Sequence, residues 1–171
     1  GESCLKQRPP ELIARGLVYV PQGNKVFGDL TVQQNLTVSL MGVGKSETRQ
    51  RLDEMAELFP AIREFMRKPA GQLSGGEKQQ VALAMGLMKK PRMLLLDEPS
   101  LGLAPNLLGD VFAQLKAINE KTGVAMLVVE HKVREVFKIS DWVIGLRRGE
   151  VIEAGMPEAF DEARLKDLFL G

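Results

Sequence analysis

Two short apolar runs that each end in acid constrain this chain more than any other feature of its sequence. Met93-Leu94-Leu95-Leu96 passes without a polar side chain into Asp97, Glu98 and Pro99, and Val124 to Val129 passes into Glu130 and His131. Runs of strand length with no alternation suit strands covered on both faces inside a parallel sheet. Between them, Asn106 to Lys121 has a helical period, with Leu107, Leu108, Val111, Phe112, Leu115 and Ile118 on the inner side and Gly123 as the stop signal. Strand, helix and strand in that order predict a right-handed crossover. The class is therefore α/β with mostly parallel strands.

The rest of the chain fits that class. Gly16 to Val20 reads as a strand ended by Pro21, Gly23 and Asn24. Thr31 to Met41 and Glu47 to Arg67 turn helical, the second broken at Pro60, with Leu52, Met55, Leu58 and Phe59 spaced to share one packing face. Glu77 to Lys89 predicts another helix whose inner face is Val81, Ala84, Met85 and Met88. Lys132 to Ile139 reads as a helix, Trp142 to Leu146 as a strand, Arg148-Gly149 as a hairpin turn into Val151 to Ala154, and Pro157 to Leu170 as an amphipathic helical tail. Trp142 is expected in the core. The basic pairs Lys89-Lys90 and Arg147-Arg148 are expected to be solvated ends.

Composition removes several classes. With 44% hydrophobic and 26% charged residues the chain is an ordinary globular one, which excludes disordered and collagen-like classes. At 171 residues it can bury roughly 70% of its surface, so the single Cys4 need not belong to any disulfide framework; one thiol is compatible with a reducing compartment. A formal charge of +1 gives no electrostatic case for a nucleic-acid or membrane-surface partner. No run of about 18 apolar residues exists to span a bilayer. The opening Gly-Glu-Ser-Cys-Leu-Lys has neither an initiator Met nor a signal-peptide pattern, and reads as a chain whose beginning is missing.

In an open parallel sheet, reactive groups gather beyond the carboxyl ends of the strands. There Asp97, Glu98, Glu130 and the sole imidazole, His131, would share an edge. Asp97 suits Mg²⁺, which wants hard oxygen ligands and few of them from protein; Glu98, on the other side of the backbone, could polarise a water for attack on a phosphoryl group. A bare Asp-Glu pair more often caps helices, and a lone histidine is more often structural. Leu73-Ser74-Gly75-Gly76-Glu77 changes that balance. Its Ser and two glycines precede a helix, so backbone amides and the positive end of the dipole face whatever docks, and a phosphate fits. Ser74 lies 20 residues ahead of Leu94, with one helix between.

These residues together resemble the ATP-binding cassette (ABC) ATPases. Leu73-Ser-Gly-Gly-Glu77 is similar to the family signature, Leu94-Leu-Leu-Asp-Glu-Pro99 to its Walker B strand, Val20-Pro-Gln22 to its Q-loop, and Val129-Glu-His131 to its switch histidine. The stretch Asp97 to Pro105, together with Val20 to Gly23, Val26-Phe27 and the ending Leu168 to Gly171, resembles the ATPase subunits of branched-chain amino acid importers. The resemblance implies a partial P-loop-NTPase-like cassette. Residues 1–30 would be the end of a core subdomain with the Q-loop, 31–90 a helical subdomain with the signature, and 91–171 the carboxyl-terminal part of a RecA-like core. It implies ATP and Mg²⁺, with Gln22 contacting metal and attacking water, Asp97 supporting the metal, Glu98 as general base and His131 on the γ-phosphate. Leu73, Ser74, Gly75, Gly76 and Glu77 would serve ATP bound mainly by a second ATPase subunit. Transmembrane permease subunits, no nucleic acid, and a peripheral place on the cytoplasmic face of the inner or plasma membrane complete the implication.

Three departures from the pattern stand out. Glu77 replaces the usual Gln, and Ala104 occupies the position usually held by Asp in the D-loop. The Walker A loop and adenine-stacking aromatic should precede the Q-loop, so the resemblance implies that this is the carboxyl-terminal part of a longer ATPase and binds ATP poorly alone. Gly42-Val43-Gly44-Lys45-Ser46 contains a Gly-Lys-Ser, but the first P-loop glycine would fall on Ser39 with no strand before it, so a helix-to-helix turn is expected. The competing readings are a non-transport ABC ATPase of DNA repair or translation and a shortened, non-catalytic partner cassette.

Overall fold

Three strands form a parallel sheet in the order β1 (Leu17–Val20), β2 (Met93–Asp97) and β3 (Ala125–Val129). A computed structural model describes residues 3–160 and divides the chain into two compact units, Gly1–His131 and Lys132–Gly171. The sheet belongs to the first. Val20 pairs with Leu96 and Asp97 with Val129, so the parallel arrangement expected from the apolar runs is present.

The expectation that these strands are covered on both faces is wrong. Side chains alternate along a strand, and only one parity is packed. Val18, Val20, Leu94 and Leu96 are buried, whereas on the other face Tyr19, Leu127 and Val129 are 56%, 48% and 54% exposed. β3 in particular is not a buried strand. Its apolar run reads as core because hydropathy cannot distinguish two covered faces from one.

The helices explain the packed side. α1 (Pro9–Ala14) is absent from the sequence expectations; Pro9 and Pro10 fit its first turn because helix-initial amides need no intrahelical partner, and the Glu11 carboxylate accepts from both the amide and the guanidinium of Arg8. α2 (Val32–Val38) begins at Thr31, whose hydroxyl accepts from the Gln34 amide at 3.2 Å. α3 (Lys45–Leu58) and α4 (Pro60–Phe65) are separated at Phe59-Pro60, as expected. α5 (Gly75–Leu87) is buried nearly all round: Val81, Ala82, Leu83, Ala84, Gly86 and Leu87 are inside. A single inner face was expected. The stripe is wider because α5 lies between the sheet and the other helices, and at Gly86 a Cβ would stand 2.9 Å from Val20 Cγ2.

Polar contacts tie these pieces together. Buried Asn35 accepts from the Phe27 amide at 2.7 Å and donates to the carbonyls of Phe27, Leu30 and Thr31, fixing the loop that leads from β1 into α2. Lys89 and Lys90 are exposed but not idle. Lys89 donates to the Ser39 carbonyl at 2.6 Å and Lys90 meets Glu54 at 3.0 Å, so the end of α5 is clamped to the helices before it. Gly42 to Gly44 form a turn, with Gly42 at φ 91° and Gly44 as the N-cap of α3, whose first residues are Lys45 and Ser46, in line with the reading of this segment as a helix-to-helix connection.

α6 (Leu108–Thr122) buries Val111, Phe112, Leu115 and Ile118 and stops at Gly123, whose φ of 68° suits a residue without Cβ. In the second unit, α7 (Val133–Phe137) precedes an antiparallel hairpin of β4 (Val143–Arg147) and β5 (Glu150–Gly155). Its turn residues Arg148 and Gly149 have φ 51° and 84°, as a two-residue hairpin turn with both central residues left-handed requires. Phe137 and Phe160 meet edge to face at 5.4 Å. Trp142, which lies just before β4, is 59% exposed, not core. Of the expected tail, Pro157–Ala159 is one 3-10 turn and residues 161–170 lie outside the described residues. Among the described residues no helix is long and apolar enough to cross a membrane.

Candidate active site

Register builds the site. Val20 pairs with Leu96, so two residues further on Gln22 runs beside Glu98; Asp97 pairs with Val129, so Glu98 runs beside Glu130, with His131 next. Gln22 Nε2 donates to Glu98 Oε2 at 2.8 Å, and His131 Nδ1 stands 3.9 Å from the same oxygen. Gln22, Glu98 and His131 therefore form one cluster at the carboxyl edge of the sheet, half-open to solvent, with Glu98 at 29% side-chain exposure.

Glu98 holds this place at a conformational cost. Its φ is 43°, a left-handed value that is unfavourable for a residue with Cβ by on the order of 1 kcal/mol. Two backbone bonds hold it there: the Glu98 amide donates to the Val129 carbonyl at 2.9 Å, and the Leu101 amide donates to the Glu98 carbonyl at 3.0 Å. The turn after β2 is thus pinned by the end of β3. Asp97 has its own partner. Tyr19 shares its face of the sheet, one diagonal step away, and the phenol donates to Asp97 Oδ2 at 2.8 Å. Donating that hydrogen bond and standing near the carboxylate charge hold the Tyr19 pKa above its ordinary value.

The glycine turn is a second element. Ser74 caps α5: its hydroxyl accepts from the Glu77 amide at 3.3 Å while its own amide donates to the Glu77 carboxylate at 2.7 Å. The Ser74 bonds lower the Glu77 pKa, so the carboxylate that replaces the usual Gln is engaged in capping. Ser74 and Gly75 are exposed and Gly76 is half-buried, which leaves the turn accessible. Leu73 is 6% exposed and anchors the turn in the core. The link between turn and cluster is Asn24, two residues past Gln22, whose side chain donates to the Gly75 carbonyl at 3.3 Å.

Sequence reasoning missed Tyr19 and Asn24 and saw Glu130 only as an acid at a strand end. Tyr19 and Asp97 share a face only through the register of β1 on β2, which no local pattern records, and the sequence marks Asn24 only as a turn residue. A groove of about 1400 Å³, lined by residues such as Val38, Met41, Leu52, Ala56, Arg63 and Arg67, lies among α2, α3 and α4 and away from the strand-end chemistry. The donors fit a magnesium-bound phosphate: a carboxylate on Asp97 and an amide oxygen on Gln22 are hard oxygen ligands, and Mg²⁺ completes its shell from phosphate and water.

The chain and its fold have known relatives. The family described as ABC transporter matches residues 3–101. The high-affinity branched-chain amino acid transport ATP-binding protein BraG of Pseudomonas aeruginosa is 33% identical over 172 aligned positions, covering all of this chain and 73% of BraG. The probable branched-chain amino acid transport ATP-binding protein LivF of Archaeoglobus fulgidus is 35% identical, covering 91% of this chain and 66% of LivF. The chain thus spans about two thirds to three quarters of these relatives. A solved dimeric structure of the ATP-binding cassette MJ0796 bound to ADP and Pi superposes with a TM-score of 0.74 at 26% identity, over 91% of this chain and 70% of that one. Strand ends, glycine turn, fold and family match converge, and this chain belongs to the ABC transporter family, whose cassettes share its α/β fold.

Proposed function

We propose that this chain carries the carboxyl-terminal catalytic parts of the ATP-hydrolysing subunit of an importer for branched-chain amino acids. The names of BraG and LivF support the solute class. On this reading the intact polypeptide supplies a P-loop ahead of these residues, pairs with a second cassette, and acts on transmembrane permease subunits from the cytoplasmic face of the membrane. Residues 1–30 close a core subdomain, 31–90 form the helical subdomain that carries the signature, and 91–171 return to the core. The single observation that carries the proposal is the cluster of Gln22, Glu98 and His131 at the ends of three parallel strands.

The chemistry follows from which atoms are engaged. Glu98 Oε2 is oriented by the Gln22 amide, while Oε1 takes no part in that contact and would accept the proton of the attacking water. His131 stands on the same side, within reach of a γ-phosphate lying against Glu98. Asp97, steadied by Tyr19, and Gln22 would hold Mg²⁺, which when bound offsets the negative charge on the phosphoryl oxygens. Ser74, Gly75 and Gly76 would present a hydroxyl and backbone amides to the γ-phosphate held by the partner cassette. Such a site works by positioning and charge stabilisation, because phosphoryl transfer asks for little covalent help.

Glu98→Gln in the full-length enzyme tests the assignment. It keeps the shape and the hydrogen bond from Gln22 but cannot accept the proton, so an ATP-bound dimer should accumulate on a sizing column while turnover is lost. Normal turnover in that variant would refute the base assignment.

A further inference from the structure

The turn that carries Glu98 and the strand end that carries His131 share one buried carboxylate. Glu130 has a side chain with 0% exposure. One of its oxygens accepts from the Ser100 amide at 2.9 Å, and the other accepts from the His131 amide at 3.1 Å. The ladder between β2 and β3 ends just before this point, with Asp97 opposite Val129 and the Glu98 amide on the Val129 carbonyl. Among the described residues the ladder goes no further than that pair, and Glu130 supplies the next link through its side chain. It also stands by the imidazole. His131 Nδ1 is 3.9 Å from Glu130 Oε2 and 3.9 Å from Glu98 Oε2, so that edge of the ring lies near two carboxylate oxygens.

We propose, on the reading of Glu98 as the base, that Glu130 is a positioning residue that locks the Glu98 turn to the His131 strand end and so sets base and imidazole in register. Two features favour such a lock. Glu98 keeps an unfavourable left-handed φ in this turn, and Ser100, 2% exposed, has a buried amide whose hydrogen bond goes to Glu130. A glutamine at this position accepts through one oxygen only, and an aspartate falls a methylene short of Ser100. Neither can bridge both amides.

In the full-length enzyme, Glu130→Gln and Glu130→Asp should each lower kcat at least tenfold while the KM for ATP stays within threefold. Amide hydrogen exchange in the peptide spanning Ser100 should speed up at least tenfold, with exchange in β1 and α5 unchanged. In a His131→Ala background the further loss of kcat from Glu130→Gln should be less than threefold, because residues acting as one unit are not additive. Loss of Glu130 acting only on stability would instead multiply fully and would speed exchange in β1 and α5 as well. Either of those results, or kcat within twofold of wild type in both variants, overturns the proposal. Glu98→Gln, run beside them, separates the two readings: if it turns over normally the base assignment itself has failed, and if it is dead while Glu130→Gln is active only the lock has.

Discussion

The two faces of the three-stranded sheet use the same backbone for opposite purposes. On one, Val18, Val20, Leu94 and Leu96 are buried, and Gly86 of α5 packs so close that a Cβ there would crowd Val20 and Leu94. On the other, Tyr19, Leu127 and Val129 stand open, and a polar contact runs from Tyr19 to Asp97. Residues one position apart therefore answer to different physics: packing density on the first face, orientation of a carboxylate on the second. The reactive turn at the strand ends draws on both, since the packed face fixes where the strands end and the turn bonds fix where Glu98 points.

The sharpest way to break the comparison is to cut equal side chains on the two faces. Leu96→Ala, at 1% exposure, should destabilise by about 2–5 kcal/mol in a denaturant melt, whereas Leu127→Ala, at 48%, should cost under about 1 kcal/mol. Equal losses would mean the open face is covered in solution. Gly86→Ala comes next. The added methyl meets Val20 Cγ2 at 2.9 Å, so overpacking of about 1–3 kcal/mol should outweigh the roughly 1 kcal/mol gained in helix propensity. A net gain in stability would show that α5 and β1 can move apart.

Two smaller effects sharpen the polar side. Ser74→Ala removes the cap of α5 and should cost about 1 kcal/mol. Because the Ser74 bonds lower the Glu77 pKa, their contribution is present above the ordinary value of 4.5 and is lost as pH falls through the lowered one, so the penalty of Ser74→Ala should shrink in acid melts. Smallest is Tyr19. Its pKa is raised, so whatever its bond to Asp97 contributes is present below the ordinary value of 10.0 and is lost as pH rises through the raised one. It is the one tyrosine in these 171 residues, so its ultraviolet titration midpoint should lie above 10.0 and return toward it in Asp97→Asn. An unshifted midpoint in the wild-type protein would dissolve the contact.

The amino-acid order by itself determined the α/β class, the parallel run of β2 through α6 to β3, the Phe59-Pro60 break, the Arg148-Gly149 hairpin and the identity of the strand-end acids. These follow from local chemistry: apolar period, proline and glycine dihedrals, and the rule that parallel strands deliver their loops to one edge. Only the tertiary structure decided which strand face was covered, that α5 is buried all round while Trp142 is not, and that Tyr19, Asn24 and Glu130 stand beside the residues the motifs had marked. Those facts rest on contacts between segments far apart in the chain, such as Tyr19 with Asp97 and Ser100 with Glu130. A periodic pattern records that a side chain is apolar or polar. Which partner it meets is set only when the strands are laid side by side in one register.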